Sequence, residues 1–100
     1  MDLAEVTQKV QAALGAGSGF TNKVKFDFGS IGKLFIDGAT GKVTNEDGPA
    51  EATVSVDFED FKNLAQGKLD PMMAYMSGKL KVAGDMTVAM KLQQLFAKLR

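Results

Sequence analysis

The 100-residue chain is long enough for one small domain, and its 45% apolar residues are sufficient to build a core. Twelve basic and twelve acidic residues give a formal net charge of zero, and the chain contains no Cys, His or Trp. This composition excludes disulfides, Cys/His zinc sites, thiol nucleophiles and imidazole bases. We therefore expect a ligand-binding protein rather than an enzyme, with no catalytic residue, no metal and no cofactor.

The charges are unevenly distributed along the chain. Residues 1–61 contain five lysines and ten acids, whereas residues 62–100 contain six lysines and one arginine against two acids. Such an imbalance is typical of an ordinary solvated surface, and it also permits transient contact of a basic C-terminal region with an anionic membrane surface. No basic stripe with interleaved aromatic residues is present, so no nucleic-acid partner is expected.

The sequence lacks the patterns of a membrane span and of a signal peptide. No apolar run approaches the length of about 18 residues that indicates a membrane span. The N-terminal segment carries Asp2 and Glu5 and lacks the pattern of a signal peptide. We therefore expect a cytoplasmic protein.

The first half of the chain predicts one helix followed by four strands. Apolar residues at three- and four-residue spacing predict a helix over residues 2–14, and a glycine-rich loop follows at residues 15–19. That loop lacks the Gly-Lys-Ser/Thr sequence of a phosphate-binding loop. Alternating apolar and polar residues predict strands at 23–29, 32–37, 42–45 and 51–56.

The second half predicts two helices, a fifth strand and a last helix. Asp57 has the position of an N-cap, with Asp60 three residues later as in a weak capping box, and this helix ends at Gly67. Pro71 begins a second, short helix, because proline is favoured at the first helical position. A strand at 79–82 and a helix at 86–99 follow. The order of elements predicts an α/β (α+β) domain, in which the first three strands form a meander within one mixed sheet covered by helices.

Methionine is concentrated in one region of the chain. Five of the six methionines lie between Met72 and Met90. Because thioether side chains are flexible and polarizable, they either fill gaps in a core or line a cavity that adapts to several apolar ligands. A lipid tail would suit such a cavity, since burying each methylene contributes about 0.8 kcal/mol.

Three segments carry a family resemblance. They are DFEDF at 57–61, GKLDP at 67–71 and the continuous run MSGKLKVAGDMTVAMKLQ at 76–93. In order and spacing they closely resemble the sterol carrier protein type 2 family, strongly over residues 52–95 and loosely over residues 1–51. The resemblance covers essentially the whole chain and implies a single sterol-carrier-like lipid-binding domain over residues 1–100.

The resemblance implies a five-stranded mixed, mostly antiparallel sheet with helices covering one face and enclosing a hydrophobic tunnel. It implies an intracellular lipid-binding and transfer protein for fatty acids, fatty acyl-CoA, phospholipid or sterol, not a catalyst, with a lipid-metabolising enzyme as a partner. Peroxisomal relatives end in a small-Lys-Leu tripeptide. Here Leu99 is followed by Arg100, so this address is not terminal.

The resemblance and the methionine cluster together place the tunnel lining in the helix after Pro71, the fifth strand and the last helix. The expected lining residues are Met72, Met73, Tyr75, Met76, Leu80, Val82, Met86, Val88, Met90, Leu92, Leu95 and Phe96. Lys79, Lys81 and Lys91 are candidate head-group or membrane contacts, with plain solvent exposure as the alternative.

Two other functions remain open at the level of the sequence. The apolar helix surface would also serve a protein-interaction or regulatory module, as a dimer or partner interface. Tyr75, Ser77 and Lys79 are close in sequence, but helix and strand geometry need not bring them together as a catalytic group.

Overall fold

The computed structural model describes residues 2–15 and 21–99, without the side chains of residues 94 and 97–99. The helices within these residues are α1 (Leu3–Gly15), α2 (Phe58–Ala65), α3 (Pro71–Met76) and α4 (Met86–Leu99), with a short 3₁₀ helix at Gly29–Ile31. The strands are β1 (Lys23–Asp27), β2 (Lys33–Asp37), β3 (Lys42–Thr44), β4 (Ala52–Val56) and β5 (Leu80–Gly84). None of the described helices is both long and apolar enough to cross a bilayer.

The five strands form one sheet in the order β3-β2-β1-β4-β5. β1, β2 and β3 are a meander of antiparallel neighbours, and β4 returns to lie parallel to β1. β5 then pairs antiparallel with β4 at the edge. This arrangement confirms the expected mixed, mostly antiparallel five-stranded sheet.

The two faces of the sheet differ in burial. Side chains of a strand alternate between faces, and Phe26, Leu34 and Val54 on the helix-covered face are fully buried. Their neighbours on the opposite face, such as Lys25 and Ser55, are half-buried or exposed. The helices therefore cover one face of the sheet, as expected, and the core lies between them and that face.

A cluster of phenylalanines holds the helices onto the sheet. The Phe26 and Phe61 rings meet edge-to-face with centroids 4.9 Å apart, and Phe28 meets Phe58 in the same way at 5.2 Å. Phe96 of α4 completes the cluster, 5.7 Å from Phe61. Edge-to-face pairs of this kind add stability beyond the area they bury, so α2 and α4 are firmly attached to the centre of the sheet.

Most element boundaries agree with the sequence predictions to within one or two residues. β1 ends at Asp27 instead of residue 29, because Gly29 takes a left-handed φ of +71° and begins the 3₁₀ turn. Asp57 occupies the N-cap position of α2, as predicted, but its side chain makes no capping hydrogen bond, so the predicted capping box is wrong. Asp70 is the N-cap of the next helix, α3, and its carboxylate accepts a 2.8 Å hydrogen bond from the Met72 N–H. Residues 16–19 of the predicted loop lie outside the described residues.

Candidate functional site

A cavity of about 130 Å³ lies between β4, β5, α3 and α4. Four of its lining residues are almost completely buried, and we call them the floor: Val54, Leu80, Leu92 and Phe96. Four others line the cavity with 41–61% of their surface still exposed, and we call them the mouth: Met72, Tyr75, Met86 and Met90. Pro71, Val82, Ala89 and Gln93 complete the lining. The cavity therefore connects the core with the solvent.

The floor rests on the sheet and on the phenylalanine cluster. Val54 and Val82 are direct partners in the β4–β5 ladder, and Leu80 lies two residues before Val82 on the same face. Phe96 joins the floor to the centre of the core, with its ring 6.0 Å from that of Phe26. These contacts give one side of the cavity a rigid support.

The mouth is built by helical spacing. On α4, Met86 and Met90 are four residues apart and share one face of the helix with Ala89 and Gln93. On α3, Met72 and Tyr75 are three residues apart, and the Asp70 cap fixes where this short helix begins. The two helices thus present methionines and a tyrosine to each other across the opening.

Eight of the twelve expected lining residues border this cavity, namely Met72, Tyr75, Leu80, Val82, Met86, Met90, Leu92 and Phe96. The structure places the other four elsewhere. Val88 and Leu95 are 3% and 1% exposed in the core, on a different face of α4 from Met86. Met73 and Met76 are 62% and 76% exposed and do not border the cavity. A role in ligand binding stays a prediction for all twelve.

Four lining residues were not expected from the sequence. Ala89 and Gln93 lie three and seven residues after Met86, on the same face of α4. Pro71 was interpreted only as a helix start. Val54 lines the cavity because β4 is the neighbour of β5, and the sequence pattern did not establish that pairing.

The three candidate head-group lysines do not line the cavity. Lys81 alternates with Leu80 and Val82, so its side chain lies on the opposite face of the sheet, and Lys79 borders the same shallow groove as Lys81. Lys91 is on α4, where its Nζ donates a 3.3 Å hydrogen bond to Oδ1 of Asn22. Their contact with head groups or membranes stays a prediction.

The chemistry of the lining is that of an apolar receptor. Among the described side chains that line the cavity there is no Asp, Glu, Lys or Arg, and Tyr75 and Gln93 supply the polar side-chain groups near the solvent. Within residues 2–15 and 21–99, no three His, Cys, Asp or Glu side chains gather as a metal site would require. The arrangement can therefore hold an apolar group inside and leave a polar end in water.

Comparison with models of known protein families identifies the family of this chain. A sequence model described as "SCP-2 sterol transfer family" matches residues 4–97. The chain belongs to this family. The resemblance seen in the sequence is thereby confirmed, and it extends through the first helix and the meander as well as the C-terminal segments.

The SCP-2 fold is shown by solved structures. A solution NMR structure of sterol carrier protein 2 from Aedes aegypti, in complex with the C16 fatty acid palmitate, matches with a TM-score of 0.83. The alignment covers 100% of both chains at 23% sequence identity. At this identity the match establishes the fold alone.

Curated relatives match over a shorter stretch. Hydroxysteroid dehydrogenase-like protein 2 of Danio rerio is 45% identical over 62 residues, which are 60% of this chain and 15% of that protein. Sterol carrier protein 2 of Homo sapiens is 41% identical over 63 residues, which are 60% of this chain and 12% of that protein. The chain thus corresponds to a small part of these longer relatives.

Proposed function

We propose that this SCP-2 family member is a carrier that binds the apolar tail of one lipid in the cavity and transfers it between membranes or proteins. The observation that carries the proposal is the cavity itself, which is lined by apolar side chains and open to solvent through a methionine-rich mouth. Burial of the tail supplies the affinity, because each methylene removed from water contributes about 0.8 kcal/mol.

A fatty acid is the ligand we propose first among fatty acids, fatty acyl-CoA, phospholipids and sterols. The structural neighbour from Aedes aegypti was solved with palmitate, which supports a single acyl chain. The floor offers only apolar side chains to a ligand, so a sterol hydroxyl would gain no partner there. A carboxylate would instead remain at the mouth, beside the side chains of Tyr75 and Gln93.

The size of the cavity implies that it opens to receive a chain of this length. A cavity of about 150 Å³ holds one benzene molecule, and in proportion a C16 chain needs on the order of 400 Å³. The cavity of about 130 Å³ is smaller than this, and we infer that it widens when a chain of this length binds. We propose that α3 moves, because Ala74 is its one buried residue within the described chain, whereas α4 is anchored by Val88, Leu92, Leu95 and Phe96.

We also propose the domain organisation, location and partners of the protein. Residues 1–100 would act as one lipid-binding domain without catalytic groups or a cofactor, in the cytoplasm and with transient contact to anionic membranes. The hydroxysteroid dehydrogenase-like relatives support a lipid-metabolising enzyme as the partner, since their matched stretch is part of a longer protein named for an enzyme.

A second candidate function is favoured by one observation. The five methionines of α3 and α4 are all exposed, and exposed apolar patches also mark protein interfaces. In this alternative the same surface joins two copies of the chain or binds a partner protein, and no lipid is carried.

Native mass spectrometry of protein purified from its own host separates the two functions. The lipid-carrier proposal requires a monomer with one bound lipid, and extraction under denaturing conditions would identify that lipid. A lipid-free dimer that also fails to bind a fluorescent fatty acid would contradict the carrier proposal and support the interface.

A further inference from the structure

The mouth of the cavity concentrates the oxidisable sulfur of the chain. The sequence has six methionines and no cysteine, so thioethers are its sole sulfur groups. Met72, Met86 and Met90 line the cavity, and each is also substantially exposed to solvent. Met73 and Met76 are still more exposed but do not line it.

We propose that Met72, Met86 and Met90 form an oxidation site, at which hydroperoxides convert the thioethers to sulfoxides and thereby release the bound lipid. This inference rests on the proposed lipid-binding function. The substrate class is a hydroperoxide, either hydrogen peroxide from the solvent or a lipid hydroperoxide that enters as cargo.

The reaction balances without a further reagent. The thioether sulfur attacks the terminal oxygen of the hydroperoxide, so an S–O bond forms and the O–O bond breaks. The sulfur is oxidised by two electrons, and the hydroperoxide is reduced to water or to the lipid alcohol. The proton of the transferred hydroxyl moves to the departing oxygen. The product is methionine sulfoxide, which methionine sulfoxide reductases return to methionine.

The position of the sulfurs determines the effect of the reaction. Because the mouth methionines are exposed in the folded state, a hydroperoxide reaches them without unfolding of the protein. A sulfoxide there replaces an apolar contact with a polar S=O group that a lipid tail would desolvate without giving a hydrogen bond. Sulfoxides at Met73 and Met76 remain in water and leave the mouth apolar.

Two variants separate the mouth from the rest of the methionines. The mouth variant is M72L/M86L/M90L, and the matched control is M73L/M76L. Leucine keeps the side chains apolar and of similar volume, and it resists oxidation. The dissociation constant of a fluorescent fatty acid is measured before and after hydrogen peroxide treatment of each protein, with peptide mass spectrometry to count oxidised methionines.

We expect peroxide to weaken binding by about tenfold, or about 1.4 kcal/mol, in the wild type and in M73L/M76L. In M72L/M86L/M90L the ratio of the two dissociation constants should stay near one, although Met73 and Met76 are oxidised. Treatment with sulfoxide reductases of both stereospecificities should restore binding in the wild type.

Three results would overturn the inference. They are unchanged binding by a wild type shown to be oxidised at the mouth, an equal loss in M72L/M86L/M90L, and a loss that coincides with disappearance of the helical circular dichroism signal. A different result, in which untreated wild type binds no fatty acid, would contradict the lipid-binding proposal itself. The untreated titration therefore distinguishes failure of the function from failure of the oxidation site.

Discussion

Val54 and Val82 face each other across the β4–β5 ladder, and both line the cavity. This pair belongs to the sheet, where backbone hydrogen bonds hold both strands. The opposite side of the cavity is α3, a six-residue helix with little buried surface. The site thus combines a rigid wall with a weakly held one, as a carrier that must load and unload a ligand requires.

Filling the cavity should weaken fatty-acid binding without unfolding the protein. Ala89 lines the cavity from α4 with a single methyl group, so Ala89→Trp would place an indole ring in the proposed ligand site. We expect an affinity for a fluorescent fatty acid at least about tenfold lower. Ala12→Trp is the matched control, because Ala12 is an exposed helical alanine on α1. Equal affinities of the two variants would contradict the location of the site.

A negative charge introduced at Met90 should weaken lipid binding, whereas the same change at Met76 should have little effect. Met90 and Met76 are both exposed helical methionines, but only Met90 borders the cavity. Met90→Asp brings a carboxylate against the lipid tail, and we expect affinity to fall by about tenfold or more. Met76→Asp should change affinity by less than about twofold, as surface substitutions do.

Titration of both aspartate variants with the same fluorescent fatty acid decides between two accounts of the site. The sequence alone placed Met76 in the lining together with Met90. Comparable losses in both variants would support that larger lining and count against the cavity of the structure.

Amide hydrogen exchange tests whether α3 moves. Helices of six residues are not stable alone, and Ala74 is the one buried residue of α3 among the described residues. We expect its amides to exchange at least about tenfold faster than those of β4 in the free protein, and to slow when palmitate is saturating. Exchange in α3 as slow as in β4, or unchanged by palmitate, would argue against movement of this helix.

Gly84 should be intolerant of any side chain. Its φ is +100°, and a Cβ there would lie 2.5 Å from the backbone oxygen of Glu51. We expect Gly84→Ala to lower the free energy of unfolding in urea by about 3 kcal/mol. Gly41→Ala tests conformational strain alone, because Gly41 has a φ of +74° but a Cβ at this position would meet no atom within 4 Å. Its expected cost is about 1 kcal/mol, and equal costs would rule out the steric explanation.

The strands were predictable because one face of the sheet is covered and the other is not. Val24 and Phe26 alternate with Lys25, and this period-two pattern is visible in the sequence. The end of β1 was harder to predict, since Phe28 continues the alternation although Gly29 turns the backbone away. A periodic pattern reports which side chains are buried, not where the ladder hydrogen bonds stop.

The sequence was sufficient to predict that α3, β5 and α4 line the cavity, but not which face of each element does so. α4 is apolar on two faces, so its spacing could not show that Val88 packs in the core while Ala89 faces the cavity. The contribution of Val54 depends on the pairing of β4 with β5, a long-range contact that no local pattern contains. Strand alternation places Lys81, a candidate head-group or membrane contact, on the sheet face opposite the cavity, and its contact with head groups or membranes stays a prediction.

We propose that a lipid tail occupies this cavity, and NMR of the methionine methyl groups can detect it there. The five methionines of α3 and α4 provide reporters inside and outside the mouth, once each resonance is assigned by single Met→Leu substitutions. On addition of palmitate, we expect nuclear Overhauser contacts from its methylenes to the methyls of Met72, Met86 and Met90, and none to those of Met73 and Met76. Contacts confined to Met73 and Met76, or no contact with any of the five at saturating palmitate, would contradict the claim.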